Sequence, residues 1–128
     1  MNKIPFYGAI LAFLGVGLGA IGAHGLKDSL VANGSMSTWE TAVLYHLLHA
    51  VAIWALGLRS NMLTSHTQKA GLAWIAGVCL FSGSLYVLAL GGPRWIGPIT
   101  PIGGLCFLLG WVWAAQTVWP NSTNKPRD

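Results

Sequence analysis

Two imidazoles, His46 and His49, lie three residues apart in the apolar run YHLLHAVAIWALGL. On a helix that spacing places them on one face. An H-x-x-H pair of this kind can ligate a metal or haem iron, relay protons, or hold the polar head of a quinone or lipid. His24 and Glu40 fall near the same membrane boundary as the start of that run, and Ser82, Ser84 and Tyr86 are hydroxyls within reach of a neighbouring helix. His24, Glu40, His46, His49, Ser82 and Tyr86 are therefore the candidate ligand-binding set. Two ligands do not define a metal site, so no metal and no cofactor is assigned. A structural reading fits the same residues. Neutral imidazoles that bond to backbone or hydroxyl groups across helices lock a bundle, each bond contributing about 0.6 kcal/mol. Glu40 also reads as a cap, because Ser37 and Glu40 have S-x-x-E spacing. The stretch FSGSLY has no base-and-orienter set around its serines and reads as a packing notch. Walker, HExxH, GxSxG and dinucleotide motifs are absent, and no catalytic residue is assigned.

The elements that must position these groups follow from composition. Of 128 residues, 54% are hydrophobic and 8% charged, too few charges for a water-facing surface. Four runs are long enough to cross a bilayer: 4–24, 39–58, 70–90 and 99–119. None contains Lys, Arg or Asp, and Glu40 is their only acid. Backbone in hydrocarbon must satisfy its own hydrogen bonds, so all four are read as helices. The expected fold is an all-α integral membrane protein, a four-transmembrane-helix bundle over residues 1–120 with a polar, disordered tail at 121–128. The first run also has features of a signal peptide, but it is longer than a signal core and carries patterned glycines, so it is expected to be retained. Cys79 and Cys106 lie inside apolar runs and are expected to be buried, inert thiols.

Orientation follows from the cations. Lys3, Arg59, Lys69, Lys125 and Arg127 share one side of a four-span thread, while Lys27 and Arg94 on the other are offset by Asp28 and Glu40. Both termini are therefore expected in the cytoplasm. The cations form no patch, which argues against nucleic acid as a partner. Trp39 and Trp95 are expected at the outer boundary, and Trp74 and Trp119 at the inner one. Counted from Trp39, His46 and His49 lie roughly 10 and 15 Å deep. Gly25 is placed to close the first helix. Ser37–Glu40 and Ser65–Gln68 are capping boxes for the second and third, and Thr100–Pro101 opens the fourth. Leu26–Ala32 reads as a short interfacial helix stopped by Asn33–Gly34.

The first run holds Gly8, Ala12, Gly15, Gly19 and Gly22 at spacings of 4, 3, 4 and 3, which keeps them on one face. Lipid gives helices no hydrophobic drive to associate, and small faces allow backbones to approach closely. These five are the expected helix-packing residues, used inside the bundle or against a second chain. Ala70, Ala73, Gly77 and Ser84 form a partial counterpart on the third run, and Gly103, Gly110 and Ala114 on the fourth.

The motifs GAHGLK (22–27), WETA…YHLLHA (39–50), LFSGSLY (80–86) and TPIGGL (100–105) occur in the order of one family, and the chain resembles it over residues 5 to 118. The family is that of small bacterial inner-membrane proteins catalogued as domain of unknown function 423, related to transmembrane protein 256. The resemblance implies a multi-pass protein of the cytoplasmic membrane and assigns no catalytic or binding role. The function expected from the sequence is a non-enzymatic accessory or interaction protein. Its expected partners are membrane lipids and either a second copy or another membrane protein. Two alternatives stand beside it: binding of a small redox or lipid-like ligand through the histidines of the outer half, and solute or proton transport by an oligomer.

Overall fold

A computed structural model describes residues 2–59 and 64–119; the polar tail at 121–128, with Lys125 and Arg127, lies outside the described residues. The elements in chain order are α1 (Ile4–Ala23), α2 (Lys27–Ala32), α3 (Met36–Arg59), α4 (Ser65–Gly77), a π-helical turn (Val78–Ser82), α5 (Gly83–Ala89), a 3-10 turn (Arg94–Ile96) and α6 (Ile99–Gln116). No strand occurs among the described residues. α4, the π turn and α5 run on as one rod, so four helical stretches are long and apolar enough to cross a membrane: Ile4–Ala23, Met36–Arg59, Ser65–Ala89 and Arg94–Gln116. The protein is an all-α, four-helix membrane bundle. Its outward faces carry Phe13, Leu44, Leu72, Leu105 and Leu108, all exposed, as expected of a surface whose solvent is lipid.

The bundle is built from two antiparallel seams. In the first, α1 lies on α3. A Cβ at Gly8 would meet the Trp54 backbone nitrogen at 2.5 Å, one at Gly15 the Leu47 side chain at 2.7 Å and one at Gly19 Val43 Cγ1 at 3.3 Å; at Gly22 it would strike the Trp39 indole. Ala12 lines a shallow groove between the same helices with Val51 and Trp54. The small stripe of α1 is thus spent inside the chain, as a track for side chains and backbone of α3. In return, α3 offers Gly57 to Pro5, and the Asn2 amide donates to the Gly57 carbonyl at 3.0 Å.

The second seam joins the third and fourth spans. Gly77 receives Phe107, Gly110 receives Trp74, and Gly103 abuts the Phe81 backbone. Each helix supplies notches for knobs on the other, at steps of three and four residues, the pattern of a left-handed antiparallel pair. α3 links the two seams. Ser35 donates to the Ala89 carbonyl at 2.7 Å and Ser82 to the Ala42 carbonyl at 2.8 Å, which holds α3 antiparallel to the third span.

α2 forms as expected and sends Leu30 into the end of the bundle, against Trp39 and Ala89. It ends in a Schellman motif. Gly34 takes φ +64°, and the amides of Gly34 and Ser35 return to the Val31 and Leu30 carbonyls. Gly91, with φ +84°, closes α5 in the same way.

Several local expectations are corrected. α3 opens at Met36, because the turn at Gly34 already delivers Ser35 to the helix start, so Ser37 and Glu40 lie inside the helix and form no capping box. The cap of α4 is Thr64, whose hydroxyl accepts from the Thr67 amide at 3.2 Å, one residue before the predicted box. α6 opens at Ile99 after Pro98, and the Thr100 hydroxyl is diverted to Ser84 at 2.6 Å. Gly25 follows α1 without a left-handed φ; the Leu26 amide instead reaches the Ile21 carbonyl. Trp39 and Trp74 are no boundary anchors. They are buried because they fill the notches at Gly22 and Gly110, while Trp95 and Trp119 are exposed. The thiols are not buried either: Cys79 is exposed and Cys106 half-buried, which an apolar solvent tolerates in a small hydrophobe.

Widening a notch-facing residue should therefore separate a seam. Gly22→Leu and Gly110→Leu are each expected to lower stability by about 1–3 kcal/mol. Gly17→Ala, where an added Cβ meets nothing within 4 Å, should be neutral or stabilising by up to about 1 kcal/mol. Thermal unfolding in detergent micelles measures the contrast.

Candidate functional site

His46 and His49 occupy the same face of α3, but their rings diverge. His46 turns toward the third span, where its Nδ1 lies 3.1 Å from the Tyr86 hydroxyl. Its Cδ2 edge lies under Gly15 of α1, and its buried Nε2 makes no hydrogen bond of good geometry, the Leu11 backbone of α1 being the group beside the ring. His49 turns toward the fourth span. Its ring stacks on Phe107 with centroids 3.7 Å apart and planes 12° from parallel, and it meets Trp74 and Trp111 edge-on. The two residues are only 4% and 2% exposed.

The partners of His49 fix its proton. The Trp111 indole, which can only donate, lies 3.1 Å from Nε2. Nε2 is therefore the bare acceptor, and Nδ1 carries the hydrogen and donates it to the Tyr45 carbonyl at 2.8 Å. That carbonyl is one turn back on the same helix, so the bond holds the ring in place as well as setting its tautomer. Both nitrogens are occupied, and His49 has no lone pair for a metal. Sequence reasoning missed Trp111. The signal was available in depth counting: His49 lies thirteen residues into α3, Trp111 twelve into α6, and these two spans run in the same direction.

Ser82 is fully buried at the end of the π turn and donates to the Ala42 carbonyl. With its proton on a backbone acceptor of α3, it is a cross-helix tie. Ser84 donates back to the Phe81 carbonyl at 2.9 Å and meets the Thr100 hydroxyl at 2.6 Å, tying the third span to the fourth. Tyr86 packs on the Trp39 indole at 4.8 Å and supplies the hydroxyl to His46.

His24 and Glu40 are exposed at the α2 end of the bundle. His24 ends α1, its amide bonded to the Ala20 carbonyl. Glu40 stands at the rim of a groove with Lys27, while His49 borders a different groove with Tyr45, Phe81 and Phe107. The six candidates are thus divided. His46–Tyr86 and Ser82 share the interface of α3 with the third span, His49 faces the fourth span, and His24 and Glu40 remain at the end. Among the described residues, no three His, Cys, Asp or Glu side chains come together in a way that could hold a metal ion.

Four apolar rods, locked by buried bonds and closed by glycine notches, define an integral membrane protein of several spans. The family model "Protein of unknown function (DUF423)" matches residues 18–104, and the chain belongs to that family. It is 45% identical over 112 residues to a UPF0382 membrane protein of Staphylococcus epidermidis, covering 88% of this chain and 91% of the relative. It is 39% identical over 114 residues to the UPF0382 membrane protein YwdK of Bacillus subtilis, covering 88% and 92%. A UPF0382 membrane protein of Schizosaccharomyces pombe is 39% identical over 108 residues, covering 80% and 90%. No solved structure matches.

The His49 assignment has a direct check. Nitrogen-15 spectra of the protein in bilayers at neutral pH should show His49 as the neutral Nδ1–H tautomer, and Trp111→Phe should shift its Nε2 resonance. A double-mutant cycle of His49→Phe with Trp111→Phe is expected to give a coupling of about 0.6 kcal/mol and no more than about 1.7.

Proposed function

We propose that this chain is a non-enzymatic accessory protein of the bacterial cytoplasmic, or inner, membrane, acting through contacts with lipid and with a second copy or another membrane protein. The observation that carries this reading is that most polar groups within the spans are engaged inside the bundle, with His46 Nε2 and Trp74 Nε1 as buried exceptions. Both His49 nitrogens, the Ser82 hydroxyl and the Ser84–Thr100 pair are engaged inside the bundle. None is left aimed at a space where a substrate would react, whereas the outward surface is broadly apolar and available. Binding of a redox or lipid-like ligand by the histidines has less support, because His24 and Glu40 are exposed and the two imidazoles are buried and divergent.

Both termini belong on the cytoplasmic side. Lys3, Arg59 and Lys69 cluster by sequence on one side of the thread with the tail cations, and the other side balances Lys27 and Arg94 with Asp28 and Glu40. Relatives named as membrane proteins in Staphylococcus, Bacillus and Haemophilus support a bacterial membrane, and helical spans belong to the cytoplasmic one.

A tail fusion to a reporter active only in the cytoplasm should be active, and gentle purification from native membranes should return the chain with a second polypeptide or a second copy. A metal or chromophore that copurifies and is lost from a His46→Ala/His49→Ala double variant would replace this reading with ligand binding. Proton flux in liposomes that vanishes in the same variant would replace it with transport.

A further inference from the structure

At the α2 end of the bundle, the seam between α1 and α3 opens into a groove of about 520 Å³. Lys27, the first residue of α2, and Glu40, on α3, are both exposed at its rim. Gly19 and Gly22 of α1 form the floor, and Leu44 and Leu47 of α3 form an apolar wall. From Glu40 at the rim to Leu47 the groove runs roughly 10 Å along the helix axis. That length takes a lipid's glycerol region and the upper part of one acyl chain.

The rim decides which lipid. It presents one cation and one anion on different helices, the complement of a headgroup with one phosphate and one ammonium. Glu40 is the only acid in the four apolar runs, and a carboxylate at the edge of hydrocarbon is costly unless a cation meets it. A primary ammonium offers three N–H donors to that carboxylate, whereas a trimethylammonium offers none. A glycerol headgroup would set the Glu40 carboxylate against a net anion. We propose that this groove binds a phospholipid of the ethanolamine class, its phosphate on Lys27, its ammonium on Glu40 and one chain along Leu44 and Leu47. The site depends only on the groove, so it stands whichever way the chain is threaded and apart from the accessory role proposed above.

The test uses the full-length chain, purified in mild detergent and titrated by native mass spectrometry with ethanolamine, choline and glycerol phospholipids of identical acyl chains. The ethanolamine lipid should bind about tenfold more tightly than the other two. Glu40→Gln should bring it down to the choline level without changing thermal stability, and Lys27→Gln should weaken all three. Arg94→Gln, outside the groove, should leave the preference intact. Equal binding of the three lipids by the wild-type chain overturns the proposal, as does an ethanolamine preference that survives Glu40→Gln. Efficient Leu44→Cys disulfide dimers in the membrane, in a chain lacking Cys79 and Cys106, would seat a second copy in the groove and overturn it too.

Discussion

Close approach of backbones is the condition that the rest of this structure meets. Once helices are in lipid, burying leucine against leucine gains little over burying it against an acyl chain, so association must come from shape. The chain answers with glycines that each receive a particular neighbour: Trp39 at Gly22, Leu47 at Gly15, Phe107 at Gly77 and Trp74 at Gly110. The large residue in each pair is an aromatic or a leucine, so each notch yields many dispersion contacts for the loss of one side chain. The cost in helix propensity, about 1 kcal/mol per glycine, is a cost relative to water-exposed helices. In the bilayer the backbone has no aqueous alternative to the helix, and the notches are retained cheaply.

Close packing then constrains the polar groups. A buried donor or acceptor without a partner costs about 1–3 kcal/mol. The solution is a set of short ties between α3 and its neighbours. His46 meets Tyr86, Ser82 meets the Ala42 carbonyl, and Trp111 meets His49. The π turn at Val78–Ser82 belongs to the same solution. It ends on Ser82, which reaches sideways to α3, and the Phe81 carbonyl within it is picked up by Ser84, which also binds Thr100. Two exceptions remain, His46 Nε2 and Trp74 Nε1: the indole nitrogen lies at the Gly110 notch, and the His46 ring, its Cδ2 edge at Gly15, has the Leu11 backbone beside it without good hydrogen-bond geometry. Where shape and hydrogen bonding conflict, shape prevails.

This ordering explains what could be read from residues alone. The four spans, the small stripe of α1, the short helix after the first span and the Asn33–Gly34 stop were legible, because each is a local pattern of hydropathy, spacing or turn chemistry. The shared face of His46 and His49 was legible as well, but their function as a pair was not. Spacing on one helix gives the direction of a Cβ, whereas the destination of a ring depends on which neighbour stands there. The tryptophans misled for the same reason. Trp39 and Trp74 sit at plausible boundary positions, yet a glycine facing each on another helix drew them inside. The caps failed through competition: Thr100 had Ser84 within reach across the interface, and Ser35 stood already placed by the preceding turn.

The two seams are held by different means. The fourth span is joined to the rest through Trp111–His49, Ser84–Thr100 and the stacking of His49 on Phe107, each of which needs a particular register. α1 has few such ties. Hydrogen bonds from Asn2 to the Gly57 carbonyl and from the Trp39 indole to the Leu18 carbonyl pin it near each end, and between them it lies on α3 by shape. A helix held by shape can part from its neighbour over a short length without stranding a polar group. The groove at Gly19 and Gly22 lies beside the Trp39–Leu18 tie, so a lipid chain enters it along Leu44 and Leu47 with that tie and the Gly22 notch left closed. The polar ties concentrated on the other side of α3 keep the remaining three spans in register while it does so.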